Sequence, residues 1–451
     1  MRVKKDRQTT FSFCSSRGPK IVADFERKYN RISDILDCNP KVLDLVHRDL
    51  KAAAGSNPKG RAGDYTTQNI LRALVVHCTE GQSLRGTIIR IAHSEFLCAF
   101  LRLGNRPVMD YSFLDRCFGA IQPATWEALV QRLGAWGVAE GHVDPSQVRT
   151  DTTVTEANIH WPTDASLLWD AYRVMTRLVR RARPLVPQVR HHRFHDRKAK
   201  RHYLYITRYS ASTAKARRRE VKVRFGELIA SVRRVLAIAE KVHAAAKSAS
   251  EVELAGIAGR LGEYLPAVRT IADVAERVAV RGETVGASER IFSLFEQHAE
   301  LIKRGKRSKP VEFGHVVQLV QTREKFITDY TVLQRRVADS QLLEPAVEEH
   351  RRRFGSYPEA VTADCAFHGK PEVMEAVREK VGTVAVAKNV REWSGEDFAA
   401  FRSFRAGIEG SISVLKRAFW LGRCLFRGFR NFASSVGLSV FCHNLVLLAR
   451  T

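Results

Sequence analysis

The stretch VRTDTTVTEANIHWP, residues 148–162, decides where a sheet can begin in this chain. It is rich in threonine and valine, its apolar and polar positions alternate, and it ends at a proline. Together these features predict a β-strand. Asp151 lies inside that predicted strand. Because aspartate is depleted from strands, its presence there calls for a functional reason.

The composition indicates a strongly basic globular protein. The chain has 451 residues, of which 45% are hydrophobic, a value typical of a globular protein with two or three domains. Lys and Arg outnumber Asp and Glu by 74 to 48, which gives a formal net charge of +26. The expected partner is therefore a polyanion such as nucleic acid.

Neither a membrane span nor a disulfide framework is expected. The N-terminus lacks the apolar segment of a signal peptide. The apolar run 432–449 contains three serines, His443 and Asn444, which favours a buried helix over a membrane span. The eight cysteines include no C-x-x-C pair, which argues against a zinc ribbon and favours a reducing, cytoplasmic setting.

Periodicity divides the chain into four segments. Residues 1–140 show mainly the 3.6-residue apolar repeat of helices, and we interpret them as a helical N-terminal domain for DNA binding or dimerisation. It is either a helix-turn-helix that reads DNA or a plain bundle, and the bundle is favoured because no recognition helix stands out. We predict that residues 141–164 begin a sheet domain, that 165–305 are a basic helical insertion, and that 306–451 complete the sheet domain.

The most basic segment, 190–224, lies inside the insertion. It holds thirteen Lys or Arg and only two acidic residues, with Tyr203, Tyr205 and Tyr209 among them. This mixture is expected where phosphates and base faces are both contacted; the alternative is a solvated charged helix. The three histidines within 191–195 lack a partner cluster, so a metal site is not expected. The candidate DNA-binding residues are Arg193, Arg197, Lys198, Lys200, Arg201, Arg217, Arg218 and Arg219.

A second group of strands follows residue 310. Two apolar runs separated by 322–325 predict a β-hairpin, and a short strand ending in Asp364 precedes a helix and a buried strand. This order predicts two parallel strands and hence a mixed α/β sheet flanked by helices. Because functional groups collect at the carboxyl ends of parallel strands, Asp364 is a candidate site residue. The predicted strands are 311–319, 326–333, 360–364 and 381–387, and the predicted helices are 342–354 and 371–377.

The helix after the sheet carries a third carboxylate. Advancing about 100° per residue from Phe404, five apolar positions form one stripe that we expect to pack on the sheet. They are Phe404, Ile408, Ile412, Leu415 and Phe419. Three charged residues fall along one edge of that stripe, at about 100°, 140° and 120°. They are Arg405, Glu409 and Lys416. The sequence therefore places Glu409 between two cations at the border of the core.

Motifs around these acids occur in the order found in DDE transposases of bacterial insertion sequences, and the chain resembles that family. The similar stretches are RTDTTVTEANIHWPTDASLLWD at 149–170, FGHVVQL at 313–319, VTADCAFHG at 361–369, RAGIEGSISVLKR at 405–417 and HNL at 443–445. Arg405, Glu409 and Lys416 match the last three positions of the family's Y-x2-R-x3-E-x6-K signature. The tyrosine of that signature falls on Arg402, and 365–367 lacks the glycine that often follows the second aspartate.

The resemblance implies a catalytic domain with the ribonuclease H-like fold. Asp151, Asp364 and Glu409 would be its catalytic triad and the ligands of two Mg²⁺ ions, with Mn²⁺ as a substitute. Arg405 and Lys416 would bind phosphates beside the scissile bond. The implied enzyme nicks transposon ends and joins the 3′-hydroxyl to target DNA. Its implied partners are double-stranded DNA, as terminal inverted repeats and as target, and a second copy of the chain in a synaptic homodimer.

The spacing of the acids sets a condition on this interpretation. Asp151 and Asp364 lie far apart along the chain, so segment 165–305 must be an insertion between the first strand and the hairpin. The alternative is a non-catalytic or decayed DNA-binding protein that keeps the fold and the basic surface but uses the acids structurally. Either protein would reside in the cytoplasm and associate with the nucleoid when bound to DNA.

Overall fold

The computed structural model of the protein describes residues 3–4, 19–54, 64–246, 251–303, 309–386 and 395–450. The strands are β1 (Gln147–Glu156), β2 (Glu300–Lys303), β3 (Val311–Thr322), β4 (Ile327–Val332), β5 (Ala360–Thr362) and β6 (Thr383–Ala385). The helices are α1 (Lys20–Cys38), α2 (Pro40–Ala53), α3 (Thr67–Thr79), α4 (Leu84–Ala92), α5 (Glu95–Phe100), α6 (Tyr111–Ala120), α7 (Pro123–Ala139), α8 (Asp164–Ala182), α9 (Asp196–Tyr209), α10 (Lys215–Ala246), α11 (Val252–Ala275), α12 (Leu343–Phe354), α13 (Pro371–Lys380), α14 (Gly395–Ala418) and α15 (Phe429–Leu448).

The chain divides into two compact units. Unit 1 comprises Met1–Ala157 and Gly314–Thr451, and unit 2 comprises Asn158–Phe313. Helices α1–α7 and α12–α15 belong to unit 1 together with most of the sheet, and helices α8–α11 belong to unit 2. Unit 1 is therefore built from two separate stretches of the chain.

The described strands form a six-stranded mixed sheet in the order β2-β3-β1-β5-β6, with β4 also paired to β3. β3 runs antiparallel to β1 and to β4, whereas β5 runs parallel to β1 and to β6. The predicted hairpin and the predicted parallel pair are both confirmed. The last residue of the predicted strand 381–387 lies outside the described residues.

Helices cover both faces of the sheet. Alternate side chains of a strand point to opposite faces, so Val148 and Arg149 of β1 face different layers. Val148 joins an apolar core with α12 and α13, while α14 packs against β1 and β5 on the Arg149 side. The predicted α/β class is confirmed. The predicted stripe of α14 is also confirmed, because Phe404, Ile408, Leu415 and Phe419 are buried and Ile412 is half-buried.

Helix α3 shows how the short helices of the N-terminal segment begin and end. Thr66 caps α3: its side chain accepts a bond from Asn69 N, and the Asn69 side chain accepts one from Thr66 N. This reciprocal pair satisfies two backbone donors that a helix start leaves open. Gly81 follows α3 with a φ of +59°, a left-handed conformation that favours glycine and ends the helix.

The N-terminal helices share their core with the last helix, α15. Both α3 and α7 pack against α15, and α7 also contacts β4. Asn444 of α15 accepts a bond from Ile327 N (3.0 Å) and donates one to Ile327 O (2.8 Å). Among the described helices, α15 alone is long and apolar enough to be a candidate membrane span, yet 83% of its apolar window is buried inside the protein. This burial agrees with the predicted core helix.

Unit 2 contains four described helices that pack on one another. α10 contacts α8, α9 and α11, and α8 contacts α9 and α11. Their shared core is apolar and includes Leu168, Val232 and Leu261. The charged segment 190–224 comprises α9, the residues on either side of it and the first turns of α10. The cysteines within the described parts of the chain are all free thiols.

Candidate active site

Asp151 lies in the middle of the sheet. Its strand, β1, is paired on one side with β3, where Asp151 faces Leu319, and on the other side with β5. The sequence places Asp151 in a strand, and the structure shows that this strand has neighbours on both edges. The carboxylate is half-buried, and its Oδ1 accepts a bond from Thr152 N (2.7 Å). A strand held on both sides is a rigid support for a functional group.

Asp364 lies level with Asp151 by the pairing of the two parallel strands. The register pairs Gln147 with Ala360 and Arg149 with Thr362, and the same offset along the chain relates Asp151 to Asp364. The ladder ends at Thr362, but Asp364 keeps an extended backbone (φ −76°, ψ 172°). Level residues on neighbouring parallel strands point to the same face, and the strands lie about 4.8 Å apart.

Asp364 also begins a short helical turn. Its Oδ1 accepts a bond from Ala366 N (2.9 Å), which caps the 3₁₀ turn Cys365–Phe367. Capping is the usual role of an aspartate after a strand. The cap uses one carboxylate oxygen and fixes the direction of the side chain.

Glu409 is carried by α14 on the sheet face that Arg149 and Asp151 share. The buried side chains Phe404, Ile408 and Leu415 hold α14 against the sheet. The Glu409 side chain itself is 61% exposed and pairs with Arg405, whose Nη2 lies 3.0 Å from Glu409 Oε1. The predicted polar edge of the helix is therefore present, and within it Glu409 is bound to one of its two predicted cations.

The three carboxylates do not form a closed cluster. In the described parts of the chain, no three His, Cys, Asp or Glu side chains lie close enough together to form a metal site. The donor set nevertheless fits a hard cation, because Asp151, Asp364 and Glu409 offer carboxylate oxygens, the ligands that Mg²⁺ prefers. The Glu409 side chain is exposed and paired with Arg405, so its carboxylate would have to leave Arg405 before it could bind an ion.

The two cations of the predicted signature are half-buried. Arg405 and Lys416 lie on the same helix as Glu409, one turn before it and two turns after it. Partial burial of the long stems limits their motion while the charged ends stay in water. Both charges are thus held along the polar edge of α14.

The predicted DNA-binding residues of unit 2 are solvent-exposed. They lie before α9, on α9 and on the first turn of α10. They are Arg193, Arg197, Lys198, Lys200, Arg201, Arg217, Arg218 and Arg219. Lys198 forms an ion pair with Glu227 (3.2 Å), which reduces its charge toward a ligand. Exposure of so many like charges agrees with a polyanion-binding surface but does not identify the polyanion.

The tyrosines of this segment have a different environment from the one that the sequence suggests. The sequence suggests contacts between tyrosine rings and base faces. In the structure the guanidinium of Arg217 lies 4.0 Å from the Tyr209 ring centre and donates to the Tyr205 hydroxyl (3.5 Å). Arg224 covers the Tyr205 ring at 5.4 Å. The tyrosines therefore hold arginines in place, and their ring faces are partly occupied.

The histidines near the sheet have packing roles. His315 is buried, bonds the Leu333 carbonyl (3.0 Å) and contacts the Phe432 ring. Burial lowers the pKa of His443 to about 4, so it is neutral at neutral pH. His160 lies 3.7 Å from the carboxylate of Asp170. None of these positions adds a ligand to the three carboxylates.

One residue of this region was not singled out from the sequence. Arg149 lies two positions before Asp151, on the same face of β1, and is only 3% exposed. The alternation of a strand already predicts that Arg149 and Asp151 share a face. Its burial could not be read from the sequence, because burial depends on α14 packing over it.

The part of the chain that carries Asp364 and Glu409 is similar to a known protein family. Residues 293–445 match the family model of the transposase DDE domain. Over this segment the chain is similar to a transposase DDE domain. The match includes Asp364, Arg405, Glu409 and Lys416, whereas Asp151 lies before it. No curated protein and no solved structure matches the chain significantly. The DDE domain confirms the predicted resemblance to DDE transposases.

Proposed function

We propose that the protein is a DNA transposase that nicks the ends of an insertion sequence and joins the freed 3′-hydroxyl to target DNA. The observation that supports the proposal is the register of β1 and β5, whose offset, extended two residues beyond its last pair, would bring Asp364 level with Asp151. The match to the DDE domain supports it. A mixed sheet covered by helices on both faces is also consistent with the ribonuclease H-like fold.

We assign the carboxylates to two Mg²⁺ ions, with Mn²⁺ as a substitute. Asp151, on the central strand, would be the central ligand, and Asp364 and Glu409 would complete the set of carboxylates that hold the ions. When bound, two such ions activate the attacking oxygen and stabilise the leaving oxygen of a phosphodiester. These carboxylates would come from the central strand, from the turn after the next strand and from a packed helix, which limits the motion of the backbone at each of the three positions.

Arg405 links metal binding to DNA binding in this scheme. It is paired with Glu409 (3.0 Å), so Glu409 becomes a better metal ligand when Arg405 turns to a DNA phosphate. Lys416 would bind a neighbouring phosphate on the same helix edge. Arginine can bind a phosphate with two parallel bonds. DNA and metal are therefore expected to strengthen each other's binding.

The other parts of the chain take supporting roles in this proposal. We assign residues 1–140 to DNA binding or dimerisation and 165–305 to a basic insertion that contacts DNA. We assign residues 141–164 and 306–451 to the catalytic domain. The two ends of a mobile element must be held together, so we propose a homodimer in the synaptic complex. The family supports a cytoplasmic DNA-binding protein, which would associate with the nucleoid.

The test is metal-dependent cleavage of the DNA that flanks the gene. A supercoiled plasmid carrying those flanking sequences is incubated with the purified protein in Mg²⁺, in Mn²⁺ and in chelator. We expect nicked and linear products with either ion and none with chelator. Nicking that is equally fast in chelator would contradict the proposal.

A second candidate is a DNA-binding protein without cleavage activity. The ion pair between Arg405 and Glu409 and the lack of a three-ligand cluster among the described residues favour it. Such a protein would bind duplex DNA in a salt-sensitive way but leave it intact in every metal. The plasmid assay therefore separates the two candidates.

The basic surface of α9 gives a prediction about affinity. Replacing Lys200 and Arg201 with glutamine should weaken binding to a duplex of any sequence. If both residues contact phosphates, the slope of log K against log salt should become less steep by about 1.8. Fluorescence anisotropy with a labelled duplex at several salt concentrations measures this slope.

The matched control uses two arginines of the same unit that lie away from the charged segment. Arg269 and Arg281 are also exposed, but each is paired with a glutamate, Glu240 (2.7 Å) and Glu276 (3.1 Å) respectively. Their double change to glutamine removes the same total charge. An equal loss of slope in both double variants would show that net charge, and not the surface of α9, determines binding.

A further inference from the structure

A buried arginine joins the strand of Asp151 to the helix of Glu409. Arg149 is 3% exposed. Its Nε donates to Gln321 Oε1 of β3 (2.9 Å), and its Nη1 donates to the Phe404 carbonyl of α14 (2.5 Å). The guanidinium also lies 4.9 Å from the centre of the Phe404 ring. One side chain thus connects two strands and a helix.

Keeping an arginine at this place is energetically costly. Burial, together with the nearby Arg323, lowers the pKa of the Arg149 guanidinium to about 10, which leaves it charged at neutral pH. Its Nη2 is buried and donates to no described atom. A buried charge with an unmet donor destabilises a fold compared with a well-packed apolar residue. The presence of an arginine here is therefore better explained by a role in positioning other residues than by a contribution to stability.

The helix is shaped to admit the guanidinium. A Cβ on Gly407 would lie 2.1 Å from Arg149 Nη1 and 2.8 Å from Arg149 Cζ. Glycine inside a helix costs about 1 kcal/mol relative to alanine. Phe404 and Gly407 are one turn apart, so they lie on the same side of α14 and face Arg149 together. The close approach of α14 to β1 thus depends on having no side chain at 407.

This contact fixes the two elements that carry Asp151 and Glu409. Asp151 follows Arg149 by two residues on the same face of β1. Glu409 follows Gly407 by two residues, about 200° around α14, so it lies on the flank of the helix opposite to the one that Gly407 turns toward Arg149. Fixing Arg149 against Phe404 and Gly407 therefore fixes the height and rotation of α14 at the level of the carboxylates. Lysine is not expected to replace it, because the guanidinium holds its donors in a fixed planar fork that spans Gln321 and the Phe404 carbonyl.

We propose that Arg149 is a positioning residue that sets the separation between Asp151 and Glu409, so that both can hold the same metal pair. The inference rests on the proposed function, because a metal pair exists only if the carboxylates bind cations. Arg149 touches neither DNA nor metal in this scheme. Its effect is exerted through α14.

Two glycines of α14 provide a matched test. Gly407→Ala places a methyl group against Arg149, whereas Gly410→Ala meets no atom within 4 Å. Both changes give the same gain in helix propensity. We expect Gly407→Ala to weaken Mn²⁺ binding to the DNA complex at least about tenfold, as supporting residues of metal sites do. Gly410→Ala should bind Mn²⁺ like the wild type; electron paramagnetic resonance measures the bound ion.

Two further measurements test whether α14 is loosened in the variant and whether the positive charge at position 149 is sufficient by itself. In chelator, hydrogen exchange of the α14 amides should accelerate in Gly407→Ala and not in Gly410→Ala. Arg149→Lys should weaken Mn²⁺ binding as Gly407→Ala does, although the charge is kept. The double variant Arg149→Ala, Gly407→Ala should lose no more Mn²⁺ affinity than Arg149→Ala alone. Without the Arg149 side chain, the methyl group at position 407 has nothing to clash with.

The outcomes separate this inference from the proposed function. A wild type that binds Mn²⁺ while Gly407→Ala binds it equally well would overturn the inference alone. Unchanged Mn²⁺ binding in Arg149→Lys would do the same. A wild type that neither binds Mn²⁺ nor cleaves DNA would overturn the proposed function, and the inference with it.

Discussion

Asp151→Asn should remove metal-dependent DNA cleavage, with a rate loss of at least about 10³-fold. A catalytic metal contributes several kcal/mol of charge stabilisation, and each step of about 1.4 kcal/mol is tenfold in rate. Asparagine keeps the shape and can still accept the bond from Thr152 N, so the change removes the negative charge and little else. Single-turnover cleavage of a labelled end duplex measures the effect. Asp364→Asn should behave alike, since asparagine also caps the turn at Ala366.

The control for this result is a carboxylate on the same strand. Glu156 ends β1 and, five residues from Asp151, points to the opposite face of the sheet. Glu156→Gln should therefore cleave at the wild-type rate. Thermal unfolding in chelator adds a second readout, because a change that removes only a metal-binding charge should leave the metal-free protein about as stable as the wild type. A large loss of stability in Asp151→Asn would indicate that Asp151 has a structural role.

Arg353→Met should lower the free energy of unfolding of unit 1 by about 3–5 kcal/mol, the cost of removing one partner of a buried ion pair. Arg353 of α12 forms an ion pair with Asp329 of β4, and their side chains are only 9% and 10% exposed. It also donates to the Thr328 carbonyl (2.7 Å) and pairs with Glu349 (2.5 Å). Burial raises the pKa of Asp329, and Arg353 opposes that rise. Without Arg353 a carboxylate would remain buried and uncompensated.

The neighbouring arginine supplies the comparison. Arg352 is on the same helix and also pairs with Glu349 (2.5 Å), but its side chain is 64% exposed. Arg352→Met should cost less than about 1 kcal/mol. Urea unfolding followed by fluorescence measures both. The loss of unfolding free energy in Arg353→Met should become smaller as the pH falls, because a protonated Asp329 carries no charge that needs a partner. Equal losses in the two variants would contradict this account.

Local patterns predicted the elements that carry the candidate site. The alternation around Asp151 gave β1, the two apolar runs gave the hairpin of β3 and β4, and the apolar stripe gave the packed face of α14. These signals are local, because each depends on side chains a few residues apart that must share a face. The level placement of Asp364 beside Asp151 needed the register, which long-range pairing sets.

The contacts that the sequence could not predict are tertiary. Nothing in the pattern around Arg149 distinguishes a buried arginine from a solvated one, because its burial depends on α14. The pairing of Arg217 with Tyr205 and Tyr209 likewise requires α9 and α10 to be adjacent. Nor could the sequence predict that, within the described parts of the chain, Asp151, Asp364 and Glu409 do not form a cluster of metal ligands.

The separation of β1 from β3 along the chain has a consequence for folding speed. The two strands pair from Glu156 with Gly314 onward, so the whole of unit 2 intervenes between the first paired positions. Closing an unstructured loop of that length costs about 2–3 kcal/mol more in entropy than closing a loop of about ten residues. A unit 2 that folds first would shorten the effective loop. Substitutions that destabilise the apolar core of unit 2 should therefore slow the docking of β1 on β3, even though they lie outside the sheet.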